Sequence, residues 1–215
     1  MKKIKMLDKN YYRPMSCLTA YSPSIAKILD GKIDLVLVGD SLGSTLYGMK
    51  NTQGVTMEMM KNHGAAVNKV IKKSLKILDM PYKTYENKFD AYKNAKILLN
   101  FCKPDLLKLE ISKKKLDILK YLVSKKINVI SHIGVTPQNY KNFNKIKILG
   151  KNSVEKKNLL KLAIESEKLG AKAVLLECIT ADTAKLITEN ISIPTIGIGA
   201  SKYCDGQVLV FDDLI

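Results

Sequence analysis

The sequence predicts a parallel (β/α)8 barrel of the TIM type. Three observations carry this. Apolar, β-branched runs alternate with amphipathic stretches along all 215 residues. Eight such runs are present, and five successive interior ones finish in an ionisable residue or reach one within two positions. Alternation means βα units and a parallel sheet. Eight strands fit a closed barrel better than a short open sheet, and a barrel keeps its active site at the C-terminal strand ends. The length suits one domain with a sizeable core, here spanning residues 1–215.

In chain order the strand candidates are "MSCLTA" (15–20), "DLVLVG" (34–39), "SLKILD" (74–79), "DLLKLE" (105–110), "INVISH" (127–132), "AVLLEC" (173–178), "IPTIGI" (193–198) and "QVLVF" (207–211). Helices are expected at about 23–30, 56–72, 87–102, 113–125, 153–169 and 180–190. For the helix at 153–169, Ser153 is placed as the N-cap and Gly170 as the C′ residue. Leu159, Leu162, Ala163 and Leu169 recur through it at helical spacing. The stretch from Val135 to Asn152 is long, polar and irregular, as expected of a loop lying over a site. The chain stops soon after the eighth run, so the final helix of the barrel is expected to be truncated.

Composition is that of a soluble globular protein, with 46% hydrophobic and 26% charged residues. No apolar run approaches the roughly 20 residues of a membrane helix. The start, "MKKIKMLDKNYYRP", lacks an apolar core and contains Asp8, which argues against a signal peptide. The net charge of +16 invites a nucleic-acid partner. Against that, Arg13 is the only arginine, and the lysines are spread over every expected helix instead of one face. Arginine is the residue suited to bidentate base and phosphate contacts. Four scattered cysteines (17, 102, 178 and 204) form no CxxC pair, so a zinc site and a disulfide framework are both poorly supported. Reduced thiols in a cytoplasm fit better.

The chemistry collects at the strand ends: Asp40, Asp79, Glu110, His132 and Glu177. One acid after a strand is ordinarily a turn or cap residue. Five in succession converge on one pocket. Lys108 and Glu110 flank Leu109 and so share a face of their strand. Pointing inward, they must pair or bind a charged group. Asp40, Asp79 and Glu110 are hard oxygen ligands with no nearby cysteine or histidine, a set that suits Mg²⁺ better than zinc. Glu177 ends an apolar run, a setting that raises proton affinity and fits a general base. His132 either polarises an oxygen or hydrogen-bonds in the core. Gly39 and Gly43 leave room beside Asp40. "TIGIGAS" (195–201) has G-x-G without a third glycine and is weak as a phosphate loop.

Together "LTAY", "VLVGDSLG", "LDMPY", "LKLE", "SHIGVTPQ", "LLECI" and "IPTIGIGA…CDGQVLV" resemble, in order and spacing, the ketopantoate hydroxymethyltransferase family, from about Ser16 to Ile215. The resemblance implies a TIM-barrel enzyme of pantothenate biosynthesis. It would move a one-carbon unit from 5,10-methylenetetrahydrofolate to 3-methyl-2-oxobutanoate through a Mg²⁺-stabilised enolate, giving 2-dehydropantoate. It implies Asp40 and Asp79 as Mg²⁺ ligands, with Glu110 acting directly or through water. Asp40, Ser41, Asp79 and Lys108 fall on the keto acid positions, and Glu177 on the proton acceptor. It also implies small-molecule substrates, no nucleic-acid or membrane partner, and a large cytoplasmic homo-oligomer, with a decamer as the expected form. Ile111-Ser112, Ser201 and Tyr203 stand where the family has glycines and a histidine. The alternative is another Mg²⁺-dependent α-keto acid barrel, of the phosphoenolpyruvate mutase/isocitrate lyase kind.

Overall fold

The computed structural model describes residues 7–9 and 13–215. The strands are β1 (Met15–Thr19), β2 (Leu35–Val38), β3 (Leu75–Asp79), β4 (Leu106–Glu110), β5 (Val129–Gly134), β6 (Ala173–Glu177), β7 (Thr195–Ile198) and β8 (Gly206–Leu209). All pair in parallel in sequence order, and β8 returns to β1 to close the barrel. Around it lie α1 (Pro23–Leu29), α2 (Leu42–Thr45), α3 (Met57–Asn68), α4 (Lys88–Cys102), α5 (Leu116–Ser124), α6 (Ser153–Lys168) and α7 (Ala181–Asn190).

Strands covered on both faces are apolar on both; β8 is the exception, its outward Leu209 being 48% exposed. β2 and β4 are buried at every position. Inward residues such as Cys17, Leu37, Ile77, Leu106, Ile130 and Leu175 fill the lumen. Outward ones such as Val36, Leu107, Val129 and Val174 meet the helices. Ala91, Ala95, Leu98 and Cys102 form the buried stripe of α4, three to four residues apart. Emptying the lumen at Leu106, as Ala, falls in a class of change that costs about 2–5 kcal/mol.

Several boundaries differ from expectation, each for a local reason. Asn152, not Ser153, caps α6: its side chain accepts the Glu155 N–H, and Ser153 is already helical. Gly170 does end that helix, at φ +94°. α3 stops at Asn68, four residues early. The Asp30 carboxylate takes the backbone N–H groups of Lys72, Lys73 and Ser74 and turns the chain into β3. β5 runs two residues later than expected, from 129 to 134. The single turn of α2 lies where no helix was expected. Val135 to Asn152 has two 3-10 turns, Pro137–Asn139 and Phe143–Lys145, and folds back so that Leu149 bridges Ile179. No described helix is long and apolar enough to cross a membrane.

Candidate active site

Side chains two residues apart on a strand share a face. Stepping two residues up from the apolar lumen therefore gives the barrel's upper layer: Thr19 above Cys17, Asp79 above Ile77, Lys108 above Leu106, His132 above Ile130 and Glu177 above Leu175. The lumen is apolar below and ionisable above. The upper layer lines a cavity of about 350 Å³, together with Asp40, Ser41 and Thr52.

Four of these residues form a polar file around the wall, one from each of β3 to β6. Asp79 Oδ2 lies 3.0 Å from Lys108 Nζ. Lys108 Nζ lies 3.4 Å from His132 Nδ1. His132 Nε2 lies 3.2 Å from Glu177 Oε2, near enough to attract but not aligned as a hydrogen bond. Lysine only donates, so His132 Nδ1 is the acceptor and the proton belongs on Nε2. Asp79 Oδ2 also accepts the Asp40 backbone N–H at 3.0 Å, which ties β2 to β3 at the mouth.

Burial sets the electrostatics. It pushes the Asp79 carboxyl up to about 7 despite the adjacent Lys108. It pushes Glu110 up to about 8, with Asp40 adding to the rise. Asp40 is raised by burial too. Burial opposes the charge on Lys108, but Asp79 and Asp40 outweigh it and hold the ammonium above its usual value. Burial, then the Lys108 charge, lowers His132, so its ring is neutral near pH 7. Glu177 is the open member of the file, its side chain 18% exposed to the cavity.

Asp40, Ser41, Asp79, Lys108, His132 and Glu177 are thus gathered in one cavity. Glu110 is not on its wall. It sits one step back, 4% exposed, and meets a separate groove of about 880 Å³ outside the barrel, with Lys113, Tyr140 and Lys161. Ser41 Oγ lies 2.7 Å from Tyr21 Oη, which orients the hydroxyl. A Cβ on Gly39 would come within 2.9 Å of Ser41 Oγ and 3.5 Å of Asp79 Oδ2, so this glycine keeps the mouth open. Gly43 does not: a Cβ there would strike Val55 and Met49, so its smallness serves packing, contrary to expectation. Among the described residues three buried side-chain oxygens have no hydrogen-bond partner: Asp79 Oδ1, Glu110 Oε2 and Thr52 Oγ1. Among the described residues no three acid, histidine or cysteine side chains converge on one point. Mg²⁺, however, is commonly held by one or two carboxylates completed with water, and the orphaned Asp79 oxygen beside Asp40 is donor chemistry of that kind.

Sequence reasoning missed Gln138 and Tyr85, both buried at the mouth. The only signal for Gln138 was its place in "SHIGVTPQ" at the head of the irregular stretch. Cys178, directly after Glu177, adopts φ +49°, a conformation uncommon for a residue other than glycine.

The fold and this acid-rich mouth define a TIM-barrel enzyme with its site at the C-terminal strand ends. Solved structures agree on the fold. An oxaloacetate acetylhydrolase in complex with 3,3-difluorooxalacetate superposes with a TM-score of 0.75 at 12% identity, covering 99% of this chain and 80% of the other. A phosphonopyruvate hydrolase complexed with oxalate and Mg²⁺ gives 0.73 at 10%, covering 97% and 79%. A 2,3-dimethylmalate lyase, described as a member of the PEP mutase/isocitrate lyase superfamily, gives 0.71 at 11%, covering 99% and 80%. The sequence is more specific. The ketopantoate hydroxymethyltransferase family profile matches residues 1–215. A 3-methyl-2-oxobutanoate hydroxymethyltransferase from Pelagibacter ubique is 46% identical over 214 residues, covering 100% of this chain and 82% of that protein. Proteins of the same name from Anaplasma marginale and Clostridium botulinum are 42% and 43% identical, covering 94% and 96% of this chain and 73% and 76% of theirs. The chain belongs to the ketopantoate hydroxymethyltransferase family, a family of transferase enzymes.

Proposed function

We propose that this enzyme transfers a hydroxymethyl group from 5,10-methylenetetrahydrofolate to 3-methyl-2-oxobutanoate, forming 2-dehydropantoate for pantothenate and coenzyme A synthesis in the cytoplasm. The observation that carries this reading is the polar file, which puts an ammonium, a neutral imidazole and carboxylates on one small cavity. At about 350 Å³ the cavity lies near the low end of small-molecule sites, roughly 300–1,000 Å³, as suits a short keto acid.

Mg²⁺ fits the donor set: Asp40 and Asp79 would hold it, with Glu110 behind them and its free Oε2 suited to a water-mediated contact. When bound, it supplies a Lewis acid to the oxygens of the keto acid. Lys108 offsets the substrate's carboxylate charge and the charge that develops when a proton leaves C3. The Glu177 carboxylate, exposed to the cavity, takes that proton, with the neutral His132 ring 3.2 Å from its Oε2. Ser41, oriented by Tyr21, donates to a substrate oxygen. A homo-oligomer belongs to the same reading.

The test uses Glu177→Gln. It is expected to bind 3-methyl-2-oxobutanoate within a few-fold of wild type yet lose exchange of the C3 hydrogen with deuterium by at least about 100-fold, the scale of a general base. Undiminished exchange removes Glu177 from the role. Well-folded wild-type protein making no ketopantoate from keto acid, methylenetetrahydrofolate and Mg²⁺ overturns the function.

A further inference from the structure

We propose that Gln138 is a positioning residue for the metal site, holding Asp40 and Glu110 in the arrangement that accepts a divalent cation. The inference rests on the Mg²⁺-dependent reading above. Asp40 follows β2 and Glu110 ends β4, so β3 stands between them and no strand pairing sets one against the other. Gln138 bridges the gap. Its side-chain Nε2 donates to Asp40 Oδ2 at 2.7 Å, and its backbone N–H donates to Glu110 Oε1 at 2.9 Å.

Every other polar group of the residue is fixed. Nε2 also donates to Met80 O at 3.0 Å, and Oε1 accepts from the Tyr85 hydroxyl at 2.5 Å. Its carbonyl accepts from Gln53 Nε2 at 2.8 Å. Tyr85 Oη accepts the Glu110 backbone N–H at 3.3 Å, so it fixes both ends of the bridge. Gln138 is 4% exposed and Tyr85 fully buried, which leaves water little part in these bonds.

The chemistry of an amide suits the task. Each carboxylate gives Gln138 one oxygen, and Glu110 Oε2 is left without a partner. A neutral donor orients an acid without contributing a positive charge that would compete with the cation. A glutamate there would add repulsion, and a lysine would fill the cation's place. Groups that orient a ligand from behind typically change metal affinity about 10- to 100-fold when removed.

A purely architectural glutamine would lower stability and leave metal affinity alone, so both are measured. In Gln138→Met, which keeps length and the backbone N–H to Glu110 but loses the side-chain donor to Asp40, Mg²⁺ affinity by calorimetric titration is expected to fall at least about tenfold. The KM for keto acid should recover at saturating Mg²⁺. In Tyr85→Phe, which frees the amide to flip, a loss of several-fold is expected. If Gln138→Met does not fold, Tyr85→Phe decides alone. Affinity within twofold of wild type in a folded variant overturns the proposal while leaving the parent function intact. Wild-type protein that binds no Mg²⁺ overturns both.

Discussion

Aspartates at the two ends of this barrel do opposite work. At the N-terminal ends their carboxylates are consumed by backbone. Asp105 accepts the Lys76 N–H at 2.8 Å, and Asp205 accepts the Thr195 N–H at 2.8 Å. Asp34 accepts the Ser16 N–H at 2.8 Å and both arms of Arg13, at 2.8 and 2.9 Å. At the C-terminal ends Asp79 and Glu110 keep an oxygen unpartnered. This matches the division of barrel faces into one for stability and one for chemistry. It also gives the single arginine a use unrelated to nucleic acid. Lysine cannot reproduce the planar fork. Arg13→Lys is expected to cost about 1 kcal/mol, a fall of roughly 2–4 °C in Tm, with kcat unchanged. Thermal unfolding and a steady-state assay check this, and an unchanged Tm would refute it.

At the scale of elements, the β5 and β6 ends set the position of Glu177. Gly134 has φ +99°, and a Cβ there would lie 2.3 Å from the Glu177 carbonyl oxygen. Val135 N–H donates to that same oxygen at 2.8 Å. Gly134→Ala is expected to cost about 3 kcal/mol, combining left-handed strain with a steric clash. It should also lower kcat in protein that is still folded, because the two strand ends must part. Denaturant unfolding beside activity tests it; loss of stability with full kcat would show that Glu177 does not move. The strands were legible because a buried parallel strand writes one continuous apolar run, and the acids were legible because each closes or follows one. Elements held by long-range contacts were not. α2 is one turn long, too short for periodicity. Nothing near Asn68 announces that Asp30, far away in sequence, ends α3. Gln138 lies in a stretch without periodicity, and its partners come from three other loops and strand ends.

For the molecule as a whole, the two sets of acids give opposite dependence on pH. The Asp34 carboxyl lies below its ordinary value: burial alone would raise it, but the bonds from Ser16 and Arg13 win. Its stabilisation is present above the unfolded value, near 4, and is lost as pH falls below that. Asp79 at about 7 and Glu110 at about 8 lie above their unfolded values. Their contribution is complete below about pH 4 and is lost as pH rises through 7 and 8. His132, held below its ordinary value, works the other way and loses its contribution as pH falls through about 6.5. The acids' loss runs from about pH 4 up to their folded values, so the Tm of the metal-free protein should drop by several degrees between about pH 6.5 and 8. Mg²⁺ should restore more of that loss at pH 8.5 than at pH 5.5, because it binds deprotonated carboxylates. Calorimetry across pH with and without Mg²⁺ checks both, and a Tm that climbs steadily to pH 9 without metal would contradict the first.

The order of strands around the wall also sorts two carboxylates into unequal company. Walking from β3 to β6, Asp79 stands next to the ammonium of Lys108, whereas Glu177 stands next to an uncharged ring, with that ring between it and the lysine. One acid is anchored by a neighbour of opposite sign; the other has a neighbour that steadies it without claiming its charge. Reversing Lys108 and His132 would keep the composition of the mouth and exchange the fates of its two carboxylates. Division of labour among like residues is here a matter of seating order around a closed ring.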